Sequence, residues 1–147
     1  MREVEGLFEI PGLLTRDEVT FLYRLGHVNH CAGVIVEIGS FKGKSTIALA
    51  LGASAVHGAK VYAIDPHLPL PVEGYDEFTE AEFYRNVRKL QVSDRVVPMI
   101  TTSEEAAKSW QTPIRVLWID GDHRYPGVRF DFTVWEPYVV EGGIIAM

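Results

Sequence analysis

Three places in this chain put carboxylates where they could hold a ligand. In the first, Glu37-Ile38-Gly39-Ser40-Phe41-Lys42-Gly43, an acidic residue leads two glycines. Glycines let a backbone approach a ligand closely, and a helix starting at such a bend offers free N–H groups to anionic or polar atoms. The second is Asp65, which closes an apolar run; a carboxylate there can accept two hydrogen bonds from a ribose diol, or simply cap the turn before Pro66. The third is Asp120-Gly121-Asp122-His123. A neutral histidine can take a proton from an alcohol, and paired aspartates suit a hard cation such as Mg²⁺. The same four residues also suit a turn that caps the next helix.

Positioning them needs strands and helices in alternation. Val34-Ile35-Val36 is β-branched and suits a strand buried on both faces, followed by a glycine turn and a helix to about residue 56. Residues 60–64 read as a second strand, 95–100 as a third with Pro98 at an edge or end, and 115–119 as a fourth. A fifth, 144–147, follows the turn Glu141-Gly142-Gly143. Thr15-Arg16-Asp17-Glu18 and Thr79-Glu80-Ala81-Glu82 both read as capping boxes, opening helices toward residues 29 and 92. Short and longer helices are expected over 103–110 and 128–140, the latter turned near Pro137. Residues 66–76 are irregular and carry three prolines. The alternation predicts an α/β, Rossmann-like three-layer sandwich with a mostly parallel sheet. In such sheets ligands sit at the carboxyl ends of the strands, where Gly39, Asp65 and Asp120 all fall.

The glycine turn admits three ligands. Gly43-Lys44-Ser45 copies the end of a phosphate-binding P-loop, but the loop is one residue short and Ile38 stands where the first glycine belongs. The dinucleotide fingerprint fails at Phe41. The third pattern, Glu37, Gly39 and Gly43, resembles the first motif of class I S-adenosylmethionine-dependent methyltransferases, with Phe41 replacing the middle glycine. Asp120-Gly121-Asp122-His123-Arg124-Tyr125 resembles the D-G-D-H-x-Y signature of macrolide-sugar and rhamnosyl O-methyltransferases. More distantly, it is similar to the D-A-D-K-x-x-Y segment of caffeoyl-CoA and catechol-type enzymes. The resemblance runs from about residue 34 to 147.

That resemblance implies that Glu37, Gly39, Ser40 and Gly43 line the cofactor S-adenosyl-L-methionine. It gives Asp65 the ribose hydroxyls, and Ser103 and Glu104 the adenine side, with His67 a weaker candidate beside the adenosine. Asp120 would line the cofactor and bind a divalent metal in metal-dependent members, with Asp122 a further ligand and Mg²⁺ optional. His123 would be the general base. The implied acceptor is a small hydroxylated molecule, a sugar among the candidates. Two alternatives stay open: a P-loop-like nucleotide triphosphatase or kinase, for which the strand ending at Asp120 doubles as a Walker B segment, and a non-catalytic nucleoside-binding domain.

Composition sets bounds. The 147 residues suit one domain, read as a helical lead-in over 1–30 and a core over 31–147. An apolar fraction of 47% and a charged fraction of 23% are ordinary for globular proteins. A formal charge of −6 argues against nucleic acid or an anionic membrane as partner, and leaves a homo-oligomer open. One cysteine, Cys31, fits a reducing cytoplasm, the expected location, and reads as a small apolar residue. No apolar run reaches the roughly 18 residues of a membrane span. His27, His30 and His57 lack ligand partners at metal spacing, and Trp110, Trp118 and Trp135 read as packing. Tyr75, Phe78 and Tyr84 read either as a substrate wall or as core, and Asp131 either as an orienting residue or as solvent-facing. Full methyltransferase folds carry two more strands after the fifth, so the resemblance also leads one to expect a truncated sheet, or a partner across its edge.

Overall fold

The computed structural model describes residues 2–56, 58–69 and 76–147, with side chains described from residue 5 onward. Five strands form one sheet in the order β3-β2-β1-β4-β5: β1 (Val34–Ile38), β2 (Val61–Ile64), β3 (Val96–Met99), β4 (Ile114–Ile119) and β5 (Val139–Ala146). All neighbours are parallel. This is the expected Rossmann-like α/β fold, with the chain reversing its direction across the sheet between β1 and β4. Pro98 lies on β3, an edge strand, where its missing N–H leaves no ladder partner wanting.

The alternation of side chains along β1 divides two cores. Ile35 joins Leu22, Ile47, Leu49, Phe83 and Val87 under α1 (Arg2–Leu7), α2 (Arg16–Gly26), α3 (Lys44–Ser54) and α4 (Glu80–Lys89). Val36 and Ile38 join Leu117, Ile119, Trp110 and Trp135 under α5 (Ser103–Ala107) and α6 (Tyr125–Trp135). Trp110 and Trp135 meet edge-on at 5.3 Å, so their packing role holds. Helices therefore cover both faces.

The capping box at Thr15 is present: the Glu18 amide donates to the Thr15 hydroxyl, and the Thr15 amide donates to the Glu18 carboxylate at 2.7 Å. Its pattern repeats at Thr79, but the structure overturns that reading. Thr79 has helical rather than extended backbone, and its hydroxyl makes no cap bond. It turns instead to His67. Two further expectations move. The lead-in contains α1 and buries Leu7 and Ile10 completely enough to extend the core. The last helix starts at Tyr125, three residues before the expected 128, with Pro126 in its first turn. It ends at Trp135, where Pro137 tightens the chain into a 3₁₀ turn and β5 begins at Val139. Glu141-Gly142-Gly143 lies inside β5 as an irregularity: Val139 to Ile144 on β5 faces only Ile114 to Val116 on β4. His30 Nε2 reaches the Gly142 carbonyl at 2.7 Å and ties this bulge to the segment before β1.

Where α2 crosses α3, backbone meets backbone. A β-carbon on Gly52 would stand 2.0 Å from the Tyr23 carbonyl oxygen, and one on Gly26 would stand 2.3 Å from that of Leu49. The contact joins the C-terminal ends of both helices, and near their starts Gly12 lies against the Lys44 side chain.

Candidate functional site

Three strand ends meet at the glycine bend. The Gly39 amide donates to the Ile64 carbonyl at 2.9 Å, and the Asp120 amide donates to the Ile38 carbonyl at 2.8 Å. Gly39 has a φ of +87°, and an added β-carbon would sit 2.4 Å from the Asp120 oxygen, so both conformation and space demand glycine. Gly43 opens α3 with a φ of +88° and no side-chain cap, leaving the first-turn N–H groups at this edge without one. Phe41, which stands where the methyltransferase motif has its middle glycine, adopts a left-handed φ of +46°. The glycine-like conformation is thus kept while the residue type changes. In return the Phe41 amide donates to Asp65 Oδ2 at 2.8 Å.

Asp65 is held from both sides, because the His67 amide donates to Oδ1 at 2.6 Å. An ionised carboxylate has about four lone-pair sites, so two remain after these bonds. Burial holds His67 below the usual histidine range, against upward pulls from Asp65 and Glu80.

Glu37 is fully buried at the end of β1. It accepts a bond from the Thr46 hydroxyl, and Oε1 has no partner among the described residues. Burial pushes its carboxyl up to about 8; the neighbouring Ser45 and Thr46 hydroxyls pull it down, and Asp120 and Asp65 add to the rise. The backbone bonds that join the ends of β1, β2 and β4 at Gly39 and Asp120 keep these three carboxylates at one edge of the sheet. Ser40 Oγ is likewise buried and without a partner among the described residues.

Asp120 is raised by burial, lowered in part by His123, and raised slightly by Glu18 from the N-terminus of α2. The α2 entry therefore faces the same end of the sheet, and Gly12 lies against the Lys44 side chain there. His123 is 80% exposed, with Nδ1 3.9 Å from Asp120 Oδ1. Asp122 is turned away into a two-toothed pair with Arg124, whose guanidinium approaches its oxygens at 2.7–3.2 Å and brings the carboxyl down to about 2. Among the described residues no group of three His, Cys, Asp or Glu side chains could hold a metal. Asp122, expected as a metal ligand, is engaged by Arg124, and the donor set around Asp120 and Asp122 gives Mg²⁺ no support.

Ser103 is held by α6. Its hydroxyl donates to Asp131 and accepts from Trp135 Nε1 at 3.1 Å. Asp131, which the sequence left between two roles, is buried and ties α6 to α5. Glu104 is exposed on the first turn of α5. Phe78 and Tyr84 line an open hollow of about 550 Å³ with Glu80, Ala81 and Arg88 on α4, a lining that includes neither Asp120 nor His123. Tyr75 and His57 lie outside the described residues. Sequence reasoning missed Thr46, Thr79 and the Phe41 amide; a threonine one helical turn past the glycine bend was the available signal for the first.

No helix among the described residues is long and apolar enough to cross a membrane. Solved structures share the fold. An O-methyltransferase from Bacillus cereus, in complex with SAH, superposes with a TM-score of 0.71 at 20% identity, covering 99% of this chain and 64% of its own. A methyltransferase from Podospora anserina, bound to SAH, gives 0.73 at 18% identity, over 97% and 59%. An O-methyltransferase of tomaymycin synthesis from Streptomyces achromogenes, in complex with SAM, gives 0.70 at 16% identity, over 98% and 61%. The chain thus spans less than two thirds of the length of each. A family profile described as a methyltransferase domain matches residues 36–147, from β1 through β5. The chain belongs to this methyltransferase family.

Proposed function

We propose that this chain carries S-adenosylmethionine-dependent methyl transfer to a hydroxyl group of a small molecule, a sugar among the candidates. The observation that supports it most is the hold on Asp65. The glycine bend reaches across to fix a carboxylate at the end of β2, beside the buried Glu37 and next to Asp120. Two open lone-pair sites on Asp65 suit the two hydroxyls of a ribose. The unpartnered Glu37 Oε1 and Ser40 Oγ are buried polar atoms that a polar ligand would satisfy. Gly39 and Gly43 supply the close backbone approach, and exposed Glu104 remains the candidate on the adenine side.

When bound, S-adenosylmethionine supplies a methyl group on a sulfonium. The protein's own task is to place the acceptor hydroxyl in line and remove its proton. His123 takes that proton in this reading, and Asp120, 3.9 Å away, steadies the imidazolium as it forms. The N-terminus of α2, whose Glu18 acts on Asp120, forms the rim on the acceptor side. The triphosphate reading has less support, since Lys44 lies along Gly12 and Lys42 is paired with Glu82 at 3.0 Å.

Calorimetry tests the proposal. S-adenosylhomocysteine should bind with no matching response to ATP, and Asp65→Ala should weaken binding at least tenfold, the loss of about 1.4 kcal/mol. Binding of ATP in its place would sink the reading. Cofactor binding with no transfer to any alcohol would favour a nucleoside-binding domain.

A further inference from the structure

Three local costs in this fold converge on one residue. His67 holds a left-handed φ of +53°, a conformation that a side-chain-bearing residue keeps only when its surroundings impose it. Its ring is buried to 2% exposure, with Nε2 unpartnered among the described residues. Thr79 gives up the cap of α4 and places its hydroxyl 2.8 Å from His67 Nδ1. The Thr79 amide also donates to the His67 carbonyl at 3.4 Å, and the Phe83 ring lies 5.1 Å from the imidazole. What the arrangement obtains is a short bond of 2.6 Å from the His67 amide to Asp65 Oδ1.

We propose that His67 is a positioning residue, whose imidazole, clasped to Thr79 and packed on Phe83, fixes the backbone amide that orients Asp65 for a ribose diol. Phe41 performs the matching task for the other oxygen, also from a left-handed backbone. The Asp65 carboxylate is thus set by two strained amides on opposite sides, and on the His67 side the anchor is the Thr79 hydroxyl at the start of α4. The inference rests on the methyl-donor reading, which gives Asp65 its diol.

The test removes the anchor without touching the cleft. Thr79→Val keeps the shape and loses the hydroxyl; Thr79→Ser restores it. Affinities for S-adenosylhomocysteine and for its 2′,3′-dideoxy analogue are measured by calorimetry on the unaltered protein and both variants. With Thr79→Val, binding of S-adenosylhomocysteine should weaken about tenfold, the scale of one misaligned charge-assisted hydrogen bond, while the dideoxy analogue loses far less. Thr79→Ser should recover the preference for the diol. Equal weakening for both ligands, or none for either, would overturn the positioning role, because general loosening does not distinguish a ribose from its dideoxy form. Failure of the unaltered protein to bind S-adenosylhomocysteine would overturn the methyl-donor reading, and this inference with it.

Discussion

Glu37→Gln isolates the buried carboxyl at the centre of the site. Glu37 is fully buried and its carboxyl is raised from 4.5 to about 8, chiefly by burial, so the folded protein keeps it neutral at pH 7. Folded chains therefore bind a proton that unfolded chains have lost, and stability falls as pH rises between the two values. The penalty begins near 4.5, grows by at most about 1.4 kcal/mol per pH unit, and levels off above about 8. Between pH 6 and pH 9 it amounts to about 2–3 kcal/mol. Glutamine keeps an acceptor for the Thr46 hydroxyl and cannot ionise. Urea unfolding of both proteins at half-unit pH steps gives the difference directly. The variant should grow more stable relative to the unaltered protein as pH rises through this window. Parallel stability curves from pH 6 to pH 9 would refute a neutral Glu37.

Other substitutions test other parts of the structure. Gly52→Ala improves helix propensity yet drives a methyl group to 2.0 Å from the Tyr23 carbonyl oxygen, so chemical denaturation should show a net loss of about 1–3 kcal/mol. His123→Ala should lower methyl transfer by about 10²–10⁴-fold while S-adenosylhomocysteine affinity, read by calorimetry, stays near that of the unaltered protein. Arg124→Ala should let the Asp122 carboxyl climb from about 2 toward its ordinary 3.8 in an NMR titration, since Arg124 is what holds it down.

The parallel sheet and both helical layers were legible because the apolar runs were short, β-branched and separated by helical stretches. Gly39, Asp65 and Asp120 were legible as a group because parallel topology alone puts strand ends together. Local pattern failed where a tertiary partner competed for the same atom. Thr79 has the sequence of a capping box, but His67, distant along the chain, takes its hydroxyl. Ser103, placed in the cofactor site by resemblance, also shares its hydroxyl with Asp131 and Trp135, which the sequence did not announce. Asp122, expected as a ligand, is engaged by Arg124 two residues on, a pairing the sequence did not announce. Phe41 looked like a defect in the glycine motif, and its left-handed backbone shows that the bend needs the conformation more than the residue.

The crossing of α2 and α3 has a mechanical consequence. With carbonyl oxygens lodged in the spaces left by Gly26 and Gly52, neither helix can slide past the other without breaking that seat. One of these rods carries Thr15 and Glu18 at its tip; the other starts at Gly43. The seat therefore couples the segment that enters α2 to the glycine bend that opens α3, two stretches that lie far apart along the chain.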